Sequence, residues 1–268
     1  MPGSPAPLSV VLITRDCVGT LGACLDSVAW ADEIVVVDSG SADGTLDLAR
    51  ERGARVVHQD WLGTGRQKQF AVEQATHEWV LCLDTDERLS PELRKSIEAA
   101  LAAPAQHAYE FARRTRFLGR YLRHGEGYPD LCLRLFQKNH ARWSDDVVHE
   151  KVITLGTVGR LDGDLLREAG ESLEDYIAKQ NRRTTLSAQE LARQGVAVSR
   201  SQLVLSPLFR FVKFYFFRSG FLDGVPGLVQ RFRDESPDAM ILLTQVDDPS
   251  AFEVAELDEG RVVGRVEK

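Results

Sequence analysis

VLCLDTDERLSPEL, residues 80–93, joins an apolar run to a helix start through three acids. Val80, Leu81, Cys82 and Leu83 form a short apolar run with the character of a buried strand. Asp84, Asp86 and Glu87 then arrive within four residues, and Ser90-Pro91 supplies an N-cap and first-turn pair that opens a helix. The same alternation runs upstream. LSVVLIT (8–14), EIVVVD (33–38) and ARVVHQ (54–59) are β-branched strands. GTLGACLDSVA (19–29), TLDLARERG (45–53) and GRQKQFAVEQAT (65–76) are helices between them. Strands separated by helices of this length imply right-handed crossovers and an α/β fold, a mostly parallel sheet flanked by helices. Such sheets bind ligands beyond the carboxyl ends of their strands. Asp38 ends the second strand and Asp84 the fourth, so both fall on that edge. Asp84 and Asp86, two apart, point the same way in extended backbone.

The 268 residues are enough for a substantial core. A net charge of −7 argues against a general nucleic-acid binder. Cysteines 17, 24, 82 and 132 form no CxxC pair, so free thiols in a reducing cytosol are expected. MPGSPAPLSVVLIT has no basic n-region and reads as a ragged tail (1–7) leading into a strand, not a signal peptide. No apolar run is long enough to span a bilayer.

Further along, Leu93, Ile97 and Leu101 place a helix from Ser90 to Pro104. YEFARRTRFLGRYLR (109–123) holds five arginines, either a solvated face or a cradle for an anionic acceptor. GYPDLCLRLFQKNHARW (127–143) is a turn followed by strand, and DDVVHEKVIT (145–154) adds another strand. ESLEDYIAKQNRRTTLSAQELARQG (171–195) reads as a long helix. LSPLFRFVKFYFFRSGFL (205–222) has seven aromatics, three basic residues and no acid, which suits either a buried helix or an anionic membrane surface. In the acidic tail from Arg231, AFEVAEL and RVVGRVE flank Asp258-Glu259-Gly260, a three-residue hairpin loop.

Two close carboxylates at a strand end suit a hard divalent cation, which takes one or two carboxylates together with phosphate oxygens and water. The bland alternative is a solvated acidic loop before the Ser90 helix. For Asp38 it is an Asx-turn onto Gly40, which is compatible with a binding role. For His149-Glu150 it is an ordinary strand-edge contact.

WADEIVVVDSGSADGT (30–45) and WVLCLDTDERLSPEL (79–93) resemble the two main signatures of family 2 glycosyltransferases, which have the GT-A fold. HGEGYPDLCLRLF (124–136), VHEKV (148–152), SLEDYIAKQNRRTTLSAQEL (172–191) and FFRSGFLDG (216–224) are similar to the lipopolysaccharide-core β-glucosyltransferase subgroup. The resemblance covers residues 8–228. It implies an inverting transfer of a sugar, glucose by preference, from a UDP-sugar to a lipopolysaccharide-core or other lipid-linked acceptor. By position, Asp38 would contact the base or ribose, Thr14 and Arg15 would be donor-binding, Arg66 and Lys68 would lie near the donor, and Asp84 would hold its ribose and sugar. Asp86 would ligate Mg2+ or Mn2+ at the diphosphate, with His149 as a metal or diphosphate contact. Glu150 is the preferred base, with Asp146 and Asp130 as rivals. A cytoplasmic protein in peripheral contact with the inner membrane is the expected setting, with no nucleic-acid partner.

The sequence also departs from the family. Arg15-Asp16-Cys17 replaces an Asn-Glu-Glu-like turn, Gly127 stands where the subgroup has Trp, and Arg167-Glu168 stand where a His is expected. From Leu228 the chain resembles an internal piece of a sugar-phosphate nucleotidylyltransferase without that enzyme's glycine-rich loop. The expected layout is a GT-A domain over 8–160, a helical and membrane-proximal extension over 161–227, and this atypical tail over 228–268. The competing function is a catalytically inactive nucleotide-sugar or glycan-binding module.

Overall fold

The computed structural model describes residues 5–117, 119–124, 128–145, 150–168, 209, 212–224, 255–258 and 261–265. One compact unit comprises residues 1–117 and 128–169; the other comprises 118–127 and 170–268. In the first, strands and helices alternate as β1 (Leu8–Thr14), α1 (Val18–Val28), β2 (Glu33–Asp38), α2 (Thr45–Glu51), β3 (Arg55–His58), α3 (Thr64–Gln74) and β4 (Trp79–Leu83). β5 (Glu87–Leu89) and α4 (Pro91–Ala102) follow. β6 (Ala108–Phe117), β7 (Arg120–Tyr121), β8 (Asp130–Gln137), β9 (Ala141–Trp143), β10 (Val152–Thr154) and β11 (Val158–Glu168) complete this part of the chain, β7 belonging to the second unit.

The main sheet of the first unit runs β3-β2-β1-β4-β8-β6-β11-β5. Its first four strands are parallel, as the alternating pattern requires. β8 then runs antiparallel to β4 and β6, β11 parallels β6, and β5 pairs antiparallel with β11. Successive side chains of the central strands enter opposite layers. Val10, Leu12, Val36 and Leu81 pack with Leu21 and Leu25 of α1 and with Leu93 and Ile97 of α4. Val11, Val35, Val37 and Val80 pack with Ala71 and Val72 of α3, and with Phe136 and Trp143. The four cysteines are free.

Three features differ from the sequence expectation. The ordered backbone reaches into the stretch expected to be a loose tail, because the Ala6 N–H donates to the Leu101 carbonyl at 2.9 Å. β5 has too few residues to show a period; it is defined by its partner, with Leu89 opposite Leu165 and Glu87 opposite Arg167. β11 continues as strand past residue 160, where the extension was expected to begin, and ends at Glu168. A register shift between Arg160 and Asp164 lets β11 approach the start of α4. Gly163, at φ +96°, passes so close to α4 that a Cβ there would lie 2.3 Å from the Leu93 nitrogen. Asp164 and Ser90 are thereby locked by reciprocal bonds, Ser90 N–H to the Asp164 carbonyl at 3.0 Å and Asp164 N–H to Ser90 Oγ at 3.1 Å. Ser90 Oγ also accepts from the Leu93 N–H, the expected N-cap.

In the second unit, residues 212–217 form a π-helical turn and 220–223 a 3-10 turn. Asp223 is buried and accepts the Arg123 and His124 backbone N–H groups. Ala255–Asp258 and Arg261–Arg265 pair antiparallel. Asp258 is opposite Arg261, so two residues, not three, separate the paired positions. The helix expected over 171–195 lies outside the described residues. Among the described residues, no helix is long and apolar enough to cross a membrane.

Glu33, at the start of β2, ties three parts of the sheet together. Its carboxylate accepts from Ser9 Oγ at 2.5 Å, the Thr76 N–H at 2.7 Å and Arg55 at 2.9 Å. Burial pushes its pKa up, but these donors outweigh burial and bring it down to about 2. A depressed acid stabilises the fold above its unfolded pKa and loses that contribution as pH falls through the folded value. Glu33→Gln is expected to lower stability by about 2–3 kcal/mol at pH 7. The deficit should fade between about pH 4.5 and pH 2. Urea melts across that range test it; a constant deficit would assign the effect to packing.

Candidate active site

The carboxyl ends of β1 and β2 lie side by side, with Thr14 opposite Asp38. Asp38 is buried; Thr14 Oγ1 donates to its Oδ1 at 3.0 Å, and the Gly40 and Ser41 N–H groups donate to Oδ2 at 2.8 Å each. Ser41 Oγ also donates to Oδ1. The Asx-turn is therefore real, and Gly40 adopts the φ of +97° it needs. Burial raises the Asp38 pKa, and the Ser41, Gly40 and Thr14 donors more than reverse this. The departing Arg15-Asp16-Cys17 loop is well formed. The Asp16 N–H donates to Ser41 Oγ at 2.9 Å, the Ala42 N–H to Asp16 Oδ1 at 2.8 Å and the Cys17 N–H to Thr45 Oγ1 at 2.8 Å. Arg15 is exposed on it.

Beyond β4 the acids meet cations from distant segments. Lys68 of α3 is buried, with its Nζ 3.0 Å from both Asp84 Oδ1 and Glu150 Oε1. Arg134 of β8 is buried and donates to Asp84 Oδ2 at 3.1 Å. Lys68 and Arg134 both lie over the Trp143 ring, at 4.8 and 5.2 Å from its centroid. Burial works against the Asp84 carboxylate, but Arg134 and Lys68 hold its pKa far below the usual range. Glu87 is fully buried and accepts the Asp84 N–H at 3.0 Å. Burial, and next Asp84, push its pKa up against the pull of Arg134 and Arg113.

Asp86 faces another cation. Its Oδ2 accepts from Arg167 Nε at 2.9 Å, and its carbonyl accepts the Glu168 N–H at 2.8 Å. Oδ1 has no partner among the described residues. The structure thus sets Lys68 in contact with both Asp84 and Glu150, while Asp86 pairs separately with Arg167. Asp130 instead pairs with Arg113, which donates to its Oδ2 from Nε at 2.9 Å and from a terminal nitrogen at 2.7 Å. Arg66 is exposed and makes a loose 3.7 Å contact with Asp145. Asp146 and His149 lie outside the described residues.

Among the described residues, three of the five arginines between 109 and 123 have acidic side-chain partners. Arg113 meets Asp130 and Glu87, Arg114 meets Asp164, and Arg116 meets Glu168. Within the sheet these residues neutralise acids, which favours the structural role for them over an acceptor cradle. The sequence reading assigned no part to Arg134 or Arg167. A lone arginine inside LCLRLF was the available signal for Arg134. The signal for Arg167 was its place at an expected histidine.

Among the described residues, no three His, Cys, Asp or Glu side chains are grouped to hold a metal. Each Asp84 oxygen already has a cation partner, Lys68 or Arg134, whereas among the described residues Asp86 keeps one oxygen open. This donor set fits a divalent ion shared with a ligand's phosphates, a mode open to Mg2+ or Mn2+.

The sequence model of glycosyl transferase family 2 matches residues 9–149. The chain is 32% identical over 241 residues to the lipopolysaccharide core biosynthesis glycosyltransferase LpsC of Rhizobium meliloti, spanning 84% of this chain and 89% of that protein. Over 49 residues, 18% of its length, the chain is 62% identical to a glucose-1-phosphate thymidylyltransferase of Streptomyces antibioticus, covering 14% of that protein. Among solved structures, S. aureus TarS 1-349 in complex with UDP-GlcNAc matches 92% of this chain and 89% of its own, at 17% identity and a TM-score of 0.47. The chain covers 54% of the longer TarS structure. The family match extends over more than half of the chain and takes in Thr14, Asp38, Lys68, Asp84, Asp86 and Asp130. This chain belongs to glycosyl transferase family 2, with the α/β GT-A architecture that its strand order displays.

Proposed function

We propose that the chain transfers a hexose, glucose by preference, from a UDP-sugar to a lipopolysaccharide-core or other lipid-linked glycan, with inversion at the anomeric carbon. The observation that carries this is the contact of Lys68 with both Asp84 and Glu150 at the carboxyl edge of the sheet. Thr14, Arg15 and Asp38 form the nucleoside end, with Arg66 near the donor. Asp84, held rigid by two cations, orients the ribose and sugar. Glu150 takes the proton of the acceptor hydroxyl as its oxygen bonds to the anomeric carbon and the bond to the diphosphate breaks. Asp130 is the less favoured base because Arg113 grips its Oδ2 through two nitrogens, whereas Lys68 gives Glu150 a single contact that it shares with Asp84. Asp146 and His149 remain candidate base and metal contact. Asp86 would ligate Mg2+ or Mn2+ through its open oxygen; the bound ion would neutralise the departing diphosphate.

A surface in the second unit supports work at the cytoplasmic face of a membrane. Phe209, Phe216, Phe217 and Phe221 are exposed, as are Lys213 and Arg218. Exposed aromatics interleaved with cations suit an anionic lipid surface.

The test is UDP release from UDP-glucose, with a heptose-containing core acceptor in anionic vesicles and with Mn2+ or chelator. Acceptor-stimulated, chelator-sensitive release is expected, with the protein sedimenting with the vesicles. Asp86→Ala should lower the metal-dependent rate by about 10²-fold or more while the melting curve keeps its shape. Full transfer by a folded Asp86→Ala protein would remove the metal assignment. Binding of UDP with no turnover on any acceptor would favour the inactive module.

A further inference from the structure

We propose that Arg167 binds the diphosphate of the donor directly, through a guanidinium that Asp86 holds in place, and so gives the site diphosphate affinity without a metal. This rests on the nucleotide-sugar reading of the same site. The antiparallel register of β11 on β5 sets Arg167 opposite Glu87, one residue beyond Asp86. The bond from the Glu168 N–H to the Asp86 carbonyl fixes that register next to the arginine. Asp86 takes only Nε of the guanidinium. The two terminal nitrogens have no hydrogen-bond partner among the described residues, and 34% of the side chain is open to solvent. A guanidinium anchored at Nε presents its remaining N–H groups as a planar fork, a geometry that matches phosphate oxygens.

Of the described cations that contact the acids at the end of β4, Arg167 is the one whose unpartnered donors also reach solvent; Arg134 has an unpartnered terminal nitrogen too, but it is buried. Arg134 and Lys68 are buried and committed to Asp84, with Glu87 and Glu150 as their further partners. Arg113 is committed to Asp130 and Glu87. Among the described residues Arg167 has a single acidic partner, stands beside the acids that end β4, and keeps both terminal nitrogens open. Asp86 then has two uses, Oδ2 to aim Arg167 and Oδ1 for a metal shared with the donor.

The experiment is calorimetric binding of UDP, UMP and uridine to the full chain in EDTA, with Arg167→Gln and Arg167→Lys. The wild type is expected to bind UDP about tenfold or more tighter than UMP without metal. Arg167→Gln should bring the two affinities together while leaving UMP affinity and the melting temperature near their original values. Arg167→Lys should keep part of the preference, since it retains charge but not the fork. Equal UDP and UMP affinities in the wild type, or a full UDP preference in folded Arg167→Gln, would overturn the assignment and leave the nucleotide site standing. No binding of any of the three ligands would overturn the assignment together with the nucleotide reading.

Discussion

Asp84→Ala is expected to destabilise the fold by roughly 3 kcal/mol and to abolish donor binding. Breaking a buried ion pair by removing one partner costs about 3–5 kcal/mol, because the other charge is left uncompensated. Asp84 faces two such cations, Lys68 and Arg134, whose side chains are 7% and 6% exposed. The lower end of the range applies because Lys68 keeps Glu150 and Arg134 keeps Glu87. The pH dependence follows from the depressed pKa of Asp84. Its contribution is fully present above the ordinary carboxylate range and is lost as pH falls below it. Urea melts of the two proteins should therefore converge in acid. Equal stability at neutral pH would mean that the cluster rearranges around the gap. A stable Asp84→Ala protein with unchanged UDP-glucose affinity would remove Asp84 from the donor site.

Glu150→Gln is expected to reduce transfer by about 10²–10⁴-fold, the usual contribution of a positioned general base, with little change in UDP affinity or in folding. The amide keeps the shape of the side chain but cannot take the acceptor proton. Lys68 remains paired through Asp84 at 3.0 Å. Single-turnover rates and UDP titrations on one preparation separate the two effects. Asp130→Asn is the matched control; it should slow transfer far less. A large loss in Asp130→Asn and none in Glu150→Gln would move the base to β8. Losses in neither would turn attention to Asp146.

Much of the architecture can be read from local pattern. VVLIT, IVVVD and WVLCLD are buried strands because their apolar runs have the length of strands and end in turn residues. Thr45, Ser90 and Gly53 stand where helices begin or stop. The positions of Asp38 and Asp84 follow once the strands are parallel, because a crossover returns each strand with its carboxyl end on the same edge. The Asp38 turn is also local, closed onto Gly40 and Ser41 within three residues.

The charge partners of the site are another matter. Lys68 is 82 residues from Glu150, Arg134 is 50 from Asp84, and Arg167 is 81 from Asp86. No period or turn signal links such pairs. Arg134 meets Asp84 because β8 inserts beside β4, and Arg167 meets Asp86 because β11, lying next to β6, pairs on its other side with the three-residue β5. The sheet, its carboxyl edge and the acids on that edge follow from alternation and turn chemistry within a few residues. Which acids are neutralised, which oxygen of Asp86 stays open among the described residues, and that Arg167 meets Asp86 through Nε were fixed by the packing of distant strands. Those outcomes depend on strand order and register, and on the cost of burying a charge without its partner.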